Sequence, residues 1–390
     1  MTSTGVKTRY EELRVENVGP IKLANVRFGD MTVLVGPQAT GKSLFLQYFR
    51  LTEDLGYVQD QLLKYGIDWG QDLRHFLAAY LGEGLETTWQ EGSSLRKNGQ
   101  PFKLEEKVRR KQRSKEPAVF YIPSQRVVTL ADGWPRRFQN FGAADPFCLR
   151  DFSETLRQLM EQWRGNDPKI FPRTKKFKSE YREVLSDCLF RSFELAIDRY
   201  GFQKRLVLRK SEGPSIGYMA WSAGQRESVP LLLALDWLMP PAATDRRTPI
   251  QWVIIEEPEM GLHPKAISAM LLLVMELLYR RYRVIVSTHS LHVLDVVWAI
   301  QRVTKAQEVL EIFDVRQTPS LIRVSEEILK KSFRVYYFAP AGTTADISRL
   351  DACSESLEEA GWGGLTEFTG KINDIVAKVV SRQELTSERE

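Results

Sequence analysis

The sequence predicts an α/β fold: a parallel core sheet with crossover helices, an antiparallel sheet near the N-terminus and an inserted helical lobe. Three observations predict it. A short apolar run at residues 31–35 ends in a glycine-rich turn and opens directly into a helical pattern. From residue 225 onward, helix and strand patterns alternate, which requires parallel strands joined by crossover helices. Ahead of both, residues 11–28 alternate apolar and polar side chains around a Gly19-Pro20 break.

In chain order, residues 11–18 and 21–28 read as strands, and residues 31–36 as a short buried strand. A helix is expected from Lys42 to about Leu55, and another over 71–81. Asn98-Gly99 marks a hairpin turn, because both residues tolerate positive φ. A charged run over 103–115 follows, and residues 118–125 return to a buried strand. Residues 151–200 read as helices, and residues 205–210 and 215–221 as the two strands of a hairpin. Next come a helix over 225–239, a strand over 251–257, a helix over 264–282, a strand over 283–290 and a helix over 290–297. Residues 305–340 read as antiparallel strands, and the tail past Glu384 as a frayed end. The core is therefore expected in 1–50, 118–145 and 206–340. Residues 51–117 form an insertion of helix plus hairpin, 146–205 the helical lobe, and 341–390 a C-terminal segment.

Of 390 residues, 43% are hydrophobic and 27% charged, the composition of an ordinary globular chain. A net charge of +5 permits a nucleic-acid partner without requiring one. Cys148, Cys188 and Cys353 are far apart, with no metal-ligand spacing, and read as free thiols in a reducing compartment. The first residues lack a signal-peptide pattern. The apolar runs at 229–239 and 267–278 are too short or too interrupted to span a bilayer. A cytoplasmic protein without direct membrane insertion is expected.

Gly36-Pro37-Gln38-Ala39-Thr40-Gly41-Lys42-Ser43 fits GxxxxGK[ST] between a buried strand and a helix, the context that motif needs. Its glycines let backbone N–H groups turn inward around phosphates, and the helix N-terminus adds partial positive charge. Lys42 is expected to reach the β- and γ-phosphates, and Ser43 to offer its hydroxyl to Mg²⁺.

Glu256 and Glu257 end the apolar run of residues 252–255 and are followed by chain breakers. A carboxylate there can hold Mg²⁺, and a second beside it can orient or deprotonate an attacking water. Gln125, at the end of the 118–125 strand, is a candidate further contact to Mg²⁺.

Four motifs in this order make the chain resemble the ABC-type ATPases of the SMC, RecF and OLD (overcoming lysogenization defect) kind. They are the loop at 36–43, Trp221-Ser222-Ala223-Gly224-Gln225-Arg226, the acidic strand end at 254–259, and a strand ending in Thr288-His289-Ser290. The resemblance covers most of residues 11–300. It implies ATP as the nucleotide, Glu257 as the catalytic glutamate and His289 as a switch histidine sensing the γ-phosphate. It also implies that Ser222, Gly224 and Gln225 cover ATP held by the other protomer. Met260-Gly261-Leu262-His263 would then lie at the dimer interface. The working form would be a homodimer or higher homo-oligomer closed by an ATP sandwich. Four positions depart from the family pattern: Glu256 stands for the usual aspartate, Ala223 for a glycine of the signature, and Gln38-Ala39 for Asn-Gly.

The wording of residues 256–264 resembles stand-alone ATPases of anti-phage defence. A separate effector, nuclease or toxin-like, is expected, because the hundred residues after His289 hold no acidic metal cluster. Two alternatives stand beside it. A transporter subunit is disfavoured by the bulky insertions. A chromosome ATPase binding DNA directly would use the basic runs Lys107–Arg113 or Arg173–Lys178.

Overall fold

A computed structural model describes residues 11–112, 114, 116–162, 169–172, 177–201, 203–210, 213–240, 246–366, 371–373 and 375–380. The chain opens with β1 (Glu12–Val18), β2 (Ile21–Arg27) and β3 (Met31–Val35), followed by α1 (Lys42–Lys64) and α2 (Leu73–Leu81). Next come β4 (Trp89–Lys97), β5 (Gln100–Pro101), α3 (Leu104–Arg109) and β6 (Val119–Ile122). A 3-10 turn, Arg126–Thr129, leads into the small hairpin β7 (Leu130–Ala131) and β8 (Trp134–Pro135), then α4 (Phe147–Glu161).

The middle of the chain holds β9 (Lys169–Phe171), α5 (Ser179–Leu185), β10 (Glu194–Tyr200), β11 (Gln203–Arg209) and β12 (Ile216–Gly217). The last part alternates α6 (Ala223–Leu238), β13 (Trp252–Glu256), α7 (Pro264–Tyr279), β14 (Arg283–Ser287) and α8 (Leu291–Arg302). It ends with α9 (Ala306–Ile312), α10 (Pro319–Ile328), β15 (Phe333–Phe338) and β16 (Thr344–Asp346).

The core sheet has the order β16-β15-β3-β14-β13-β6, and all its strands run parallel except the edge strand β16. Val33, Val253, Ile254, Ile255, Val284, Ile285 and Val286 are fully buried. Both faces of the sheet are therefore covered, which is why these strands read as continuous apolar runs. Because the strands are parallel, the C-terminal ends of β3, β14, β13 and β6 share one edge, and this edge carries the site.

The N-terminal sheet is antiparallel with the order β2-β1-β4-β5. Asn98 (φ 54°) and Gly99 (φ 76°) make the expected turn. The hairpin joins the N-terminal sheet through β4, which pairs with β1.

Three sequence expectations are corrected. First, α1 runs to Lys64, not to about Leu55, across a kink at Asp54 (φ −121°). The Asp54 carboxylate accepts the N–H groups of Ala118 (2.7 Å) and Val119 (2.9 Å), so the kink seats the start of β6. Second, the helices expected over 151–200 end at Phe190. Arg191 turns the chain at φ 50°, and residues 194–200 form a strand paired with β11. Third, residues 305–340 hold α9, α10 and the parallel strand β15, not antiparallel strands. Thr318 caps α10 by accepting the Leu321 N–H, and Leu321, Val324, Ser325 and Ile328 form its buried stripe.

Candidate nucleotide site

The phosphate loop spans the gap between β3 and α1. Gly36 (φ 139°) and Gly41 (φ 93°) need glycine twice over. A Cβ on Gly36 would lie 2.3 Å from the Phe338 carbonyl oxygen, and one on Gly41 would lie 2.6 Å from Ile21. Ala39 holds the left-handed conformation (φ 61°) with a side chain in place. The Thr40 hydroxyl donates to the Pro37 carbonyl (2.9 Å) and so closes the loop on itself.

Lys42 is buried at the helix start, with Nζ donating to the carbonyls of Gly36 (2.7 Å) and Pro37 (2.8 Å). Burial pulls its pKa down to about 8, against the upward pull of Glu257, Glu256 and Glu259. An ammonium half-stripped of water inside a loop of inward N–H groups is a site for an anion.

Across the sheet edge, β13 delivers Glu256 and Glu257. Glu256 is buried; Oε2 accepts the Ser124 N–H (3.3 Å), and no donor stands at hydrogen-bond geometry to Oε1. Burial raises its pKa, opposed by the neighbouring hydroxyl of Ser43, the Ser124 N–H and the hydroxyl of Tyr121. A buried carboxylate with an orphaned oxygen beside the Ser43 hydroxyl fits a hard cation such as Mg²⁺. Glu257 sits in the left-handed region (φ 45°) at the strand end, with its N–H on the Ser287 carbonyl (2.8 Å).

From β14, His289 brings Nε2 to 3.6 Å from Glu257 Oε1. Burial and the charge of Lys42 lower its pKa, so the imidazole is neutral at pH 7. Gln125 is exposed at the start of the 3-10 turn, and its side chain makes no capping hydrogen bond there.

The signature segment forms the start of α6. The Ser222 hydroxyl accepts the Gln225 N–H (3.3 Å), and Gln225 Oε1 accepts the Ser222 N–H (3.1 Å), a reciprocal cap. Gln225 also donates to the Leu189 carbonyl (3.2 Å), so its side chain is engaged within its own subunit. A Cβ on Gly224 would lie 2.6 Å from the Gly261 carbonyl oxygen, which puts the signature backbone directly against the turn after β13. Ser222 and Ala223 remain exposed.

Two residues of this site escaped the sequence reading. Arg126 is fully buried. Its guanidinium donates to the carbonyls of Glu227 (2.9 Å), Glu256 (2.9 Å), Glu257 (2.9 Å) and Pro123 (3.3 Å). It therefore ties α6, the end of β13 and the end of β6 into one unit. Glu259 Oε1 accepts the Thr288 hydroxyl and the His289 N–H, both at 2.7 Å, which fixes the backbone of the histidine. An arginine next to Gln125 and a third carboxylate after Pro258 were visible, but nothing in their spacing separates them from surface charges.

The fold is that of a P-loop NTPase of the ABC-ATPase type. Residues 79–295, more than half of the chain, match the family described as "AAA domain, putative AbiEii toxin, Type IV TA system", and the chain belongs to that family. The matched segment contains the signature, the acidic strand end and His289, and begins after the phosphate loop. No curated protein matches the chain.

Similar solved structures are SMC heads. The SmcHead bound to the C-winged helix domain of ScpA is 10% identical, with 73% of this chain and 91% of that one covered at a TM-score of 0.39. The SMC head domain from Thermotoga maritima is 13% identical, with 87% and 98% covered at 0.34. The Smc head domain with an extended coiled coil bound to the C-terminal domain of ScpA, derived from Pyrococcus furiosus, is 10% identical, with 87% and 96% covered at 0.38. Among the described residues, no helix is long and apolar enough to cross a membrane.

Proposed function

We propose that this chain hydrolyses ATP between two copies of itself and uses the closing and opening of that dimer to govern a separate effector protein. The observation that carries the reading is convergence. Lys42 and the loop amides, Glu256, Glu257 and His289 arrive on three neighbouring parallel strands at one sheet edge.

In this reading the loop amides and Lys42 hold the β- and γ-phosphates and stabilise charge developing on the transferred phosphoryl group. Ser43 and Glu256 would hold Mg²⁺, with Gln125 as a third candidate; the ion supplies charge neutralisation on the phosphates. Glu257 orients a water and takes its proton as the water oxygen bonds to the γ-phosphorus. The bond from that phosphorus to the β–γ bridging oxygen breaks, leaving ADP and inorganic phosphate. Neutral His289 hydrogen-bonds the γ-phosphate and reports its loss.

The exposed Ser222 hydroxyl and Gly224 amide at the α6 start would close over ATP bound by the partner copy. Gln225 would support them by holding the cap with its side chain. The family's description, "putative AbiEii toxin, Type IV TA system", supports a role in a system of more than one component.

The test is light scattering on Glu257→Gln with and without ATP. A doubling of mass with ATP that Lys42→Ala abolishes is expected, together with loss of phosphate release in both variants. An unchanged mass sinks the dimer, and normal turnover by Lys42→Ala sinks the site.

A further inference from the structure

A second feature lies away from the sheet edge. The β7–β8 hairpin, one face of α4 and the start of β11 enclose an open cleft of about 700 Å³. Five cationic side chains line it against two carboxylates, Asp132 and Glu161. Their partners decide how much positive charge is left over. Arg157 is neutralised by Glu154 and Glu161 (both 2.5 Å), and Arg205 stands 3.7 Å from Asp198. Arg136 stacks its guanidinium on Phe141 (4.1 Å to the ring centre), donates to the Asn140 carbonyl and, among the described residues, pairs with no carboxylate. Among the described residues, Arg137 and Lys204 enter no ion pair and no side-chain hydrogen bond. Three positive charges, against the one carboxylate of Asp132, are thus left along one concave surface, with half-buried Trp134 as an aromatic wall.

This wall is built, not frayed. The Ser153 hydroxyl lies between the carbonyls of Thr129 (3.0 Å) and Arg136 (2.8 Å) and shares its one hydrogen between them, and the Leu206 N–H donates to the Gly133 carbonyl (2.9 Å). Gly133 (φ 81°) lets the hairpin lie on β11, where a Cβ would meet the Leu206 carbonyl at 3.1 Å. A different cleft, of about 540 Å³, has Asp72, Glu86, Glu91 and Glu105 against Arg74 and Arg109, so a cation excess is not general to this surface. The basic runs singled out in the sequence offer less. Arg109 pairs with Glu105, Lys111 with Asp68 and Lys178 with Glu276, while Arg113, Arg173, Lys175 and Lys176 lie outside the described residues.

We propose that this cleft binds a single strand of nucleic acid, with phosphates on Arg136, Arg137 and Lys204 and an unpaired base against Trp134. Fixed cations alternating with an aromatic face match the repeat of phosphate and base. A concave site of this volume admits unstacked nucleotides, and a ring set inside it reaches only a base free of its partner.

The experiment is fluorescence anisotropy of the full-length protein with a labelled thymidine oligonucleotide across a range of salt, without ATP. The result therefore stands or falls separately from the ATPase reading. Arg137→Glu with Lys204→Glu is expected to weaken binding at least about tenfold and to make the salt slope shallower by roughly 1.4. Trp134→Leu is expected to cost about tenfold with the slope unchanged, because stacking releases no counterions. Equal affinity of the double variant and the parent overturns the proposal. So does a duplex bound as tightly as the strand, or polyglutamate competing as well as the strand does.

Discussion

Lys42 is an ammonium buried in protein, where the nearby carboxylates of Glu257, Glu256 and Glu259 only partly offset the loss of water. Burial lowers its pKa to about 8, so below that pH its charge is retained at a cost, and above it the charge is shed. The cost to folding is complete below pH 8 and is relieved as pH rises toward the ordinary lysine value. A phosphate in the loop reverses the preference and holds the proton. ATP affinity is therefore expected to fall about tenfold between pH 7 and pH 9, with proton uptake on binding near pH 8.5. Calorimetry in two buffers of different ionisation enthalpy measures both, and Lys42→Arg should show neither. A flat affinity would mean that the ammonium is solvated in the free protein. At this scale the loop was legible, because GxxxxGK[ST] states both the backbone and the lysine. The strain at Ala39 and Glu257 was not, since positive φ at a residue with a Cβ costs roughly 1–2 kcal/mol and only its surroundings fix it.

Arg126 acts between elements. It donates to carbonyls at the ends of β6 and β13 and in the first turns of α6, three pieces spread over residues 123–257 of the sequence. One of those carbonyls belongs to Glu257, whose φ of 45° aims the carboxylate toward His289. Arg126→Gln removes the guanidinium from four carbonyls, of which those of Pro123 and Glu256 are buried at the contact, and a buried carbonyl left without a donor costs about 1–3 kcal/mol. The expected outcome is a clear drop in melting temperature and a kcat lowered about a hundredfold by a misplaced carboxylate. ATP affinity should change little, because Lys42 and the loop are not attached to it. Equal losses in kcat and affinity would assign Arg126 to general stability. Elements were legible where one period ran unbroken, as in the apolar strands at 31–35, 252–256 and 283–287. They were misread where two readings compete locally. Residues 194–200 continue a helical charge pattern but pair with β11, and Thr318-Pro319 caps a helix that an apolar tally over 305–340 hides.

At the scale of the whole molecule, the signature and the phosphate loop pose a question of which subunit completes which site. Ser222 and Ala223 face solvent at the start of α6, while Gly224 packs on Gly261 of its own chain. A hydroxyl and an amide at an exposed helix start have room for a partner's phosphate. If the site is shared, two different dead subunits make one live one. Lys42→Ala removes the loop's charge but keeps a sound signature; Ser222→Arg blocks the signature but keeps a sound loop. In a mixed two-fold dimer, the loop of the second faces the signature of the first, and that site is whole. An equimolar mixture is expected to recover roughly a quarter of parental turnover, since half the dimers are mixed and each has one intact site of two. Phosphate release by each variant alone and by the mixture, at fixed total protein, decides it. A mixture no more active than its parts places the signature's role within one subunit. It would also leave the exposed start of α6 for the effector to occupy.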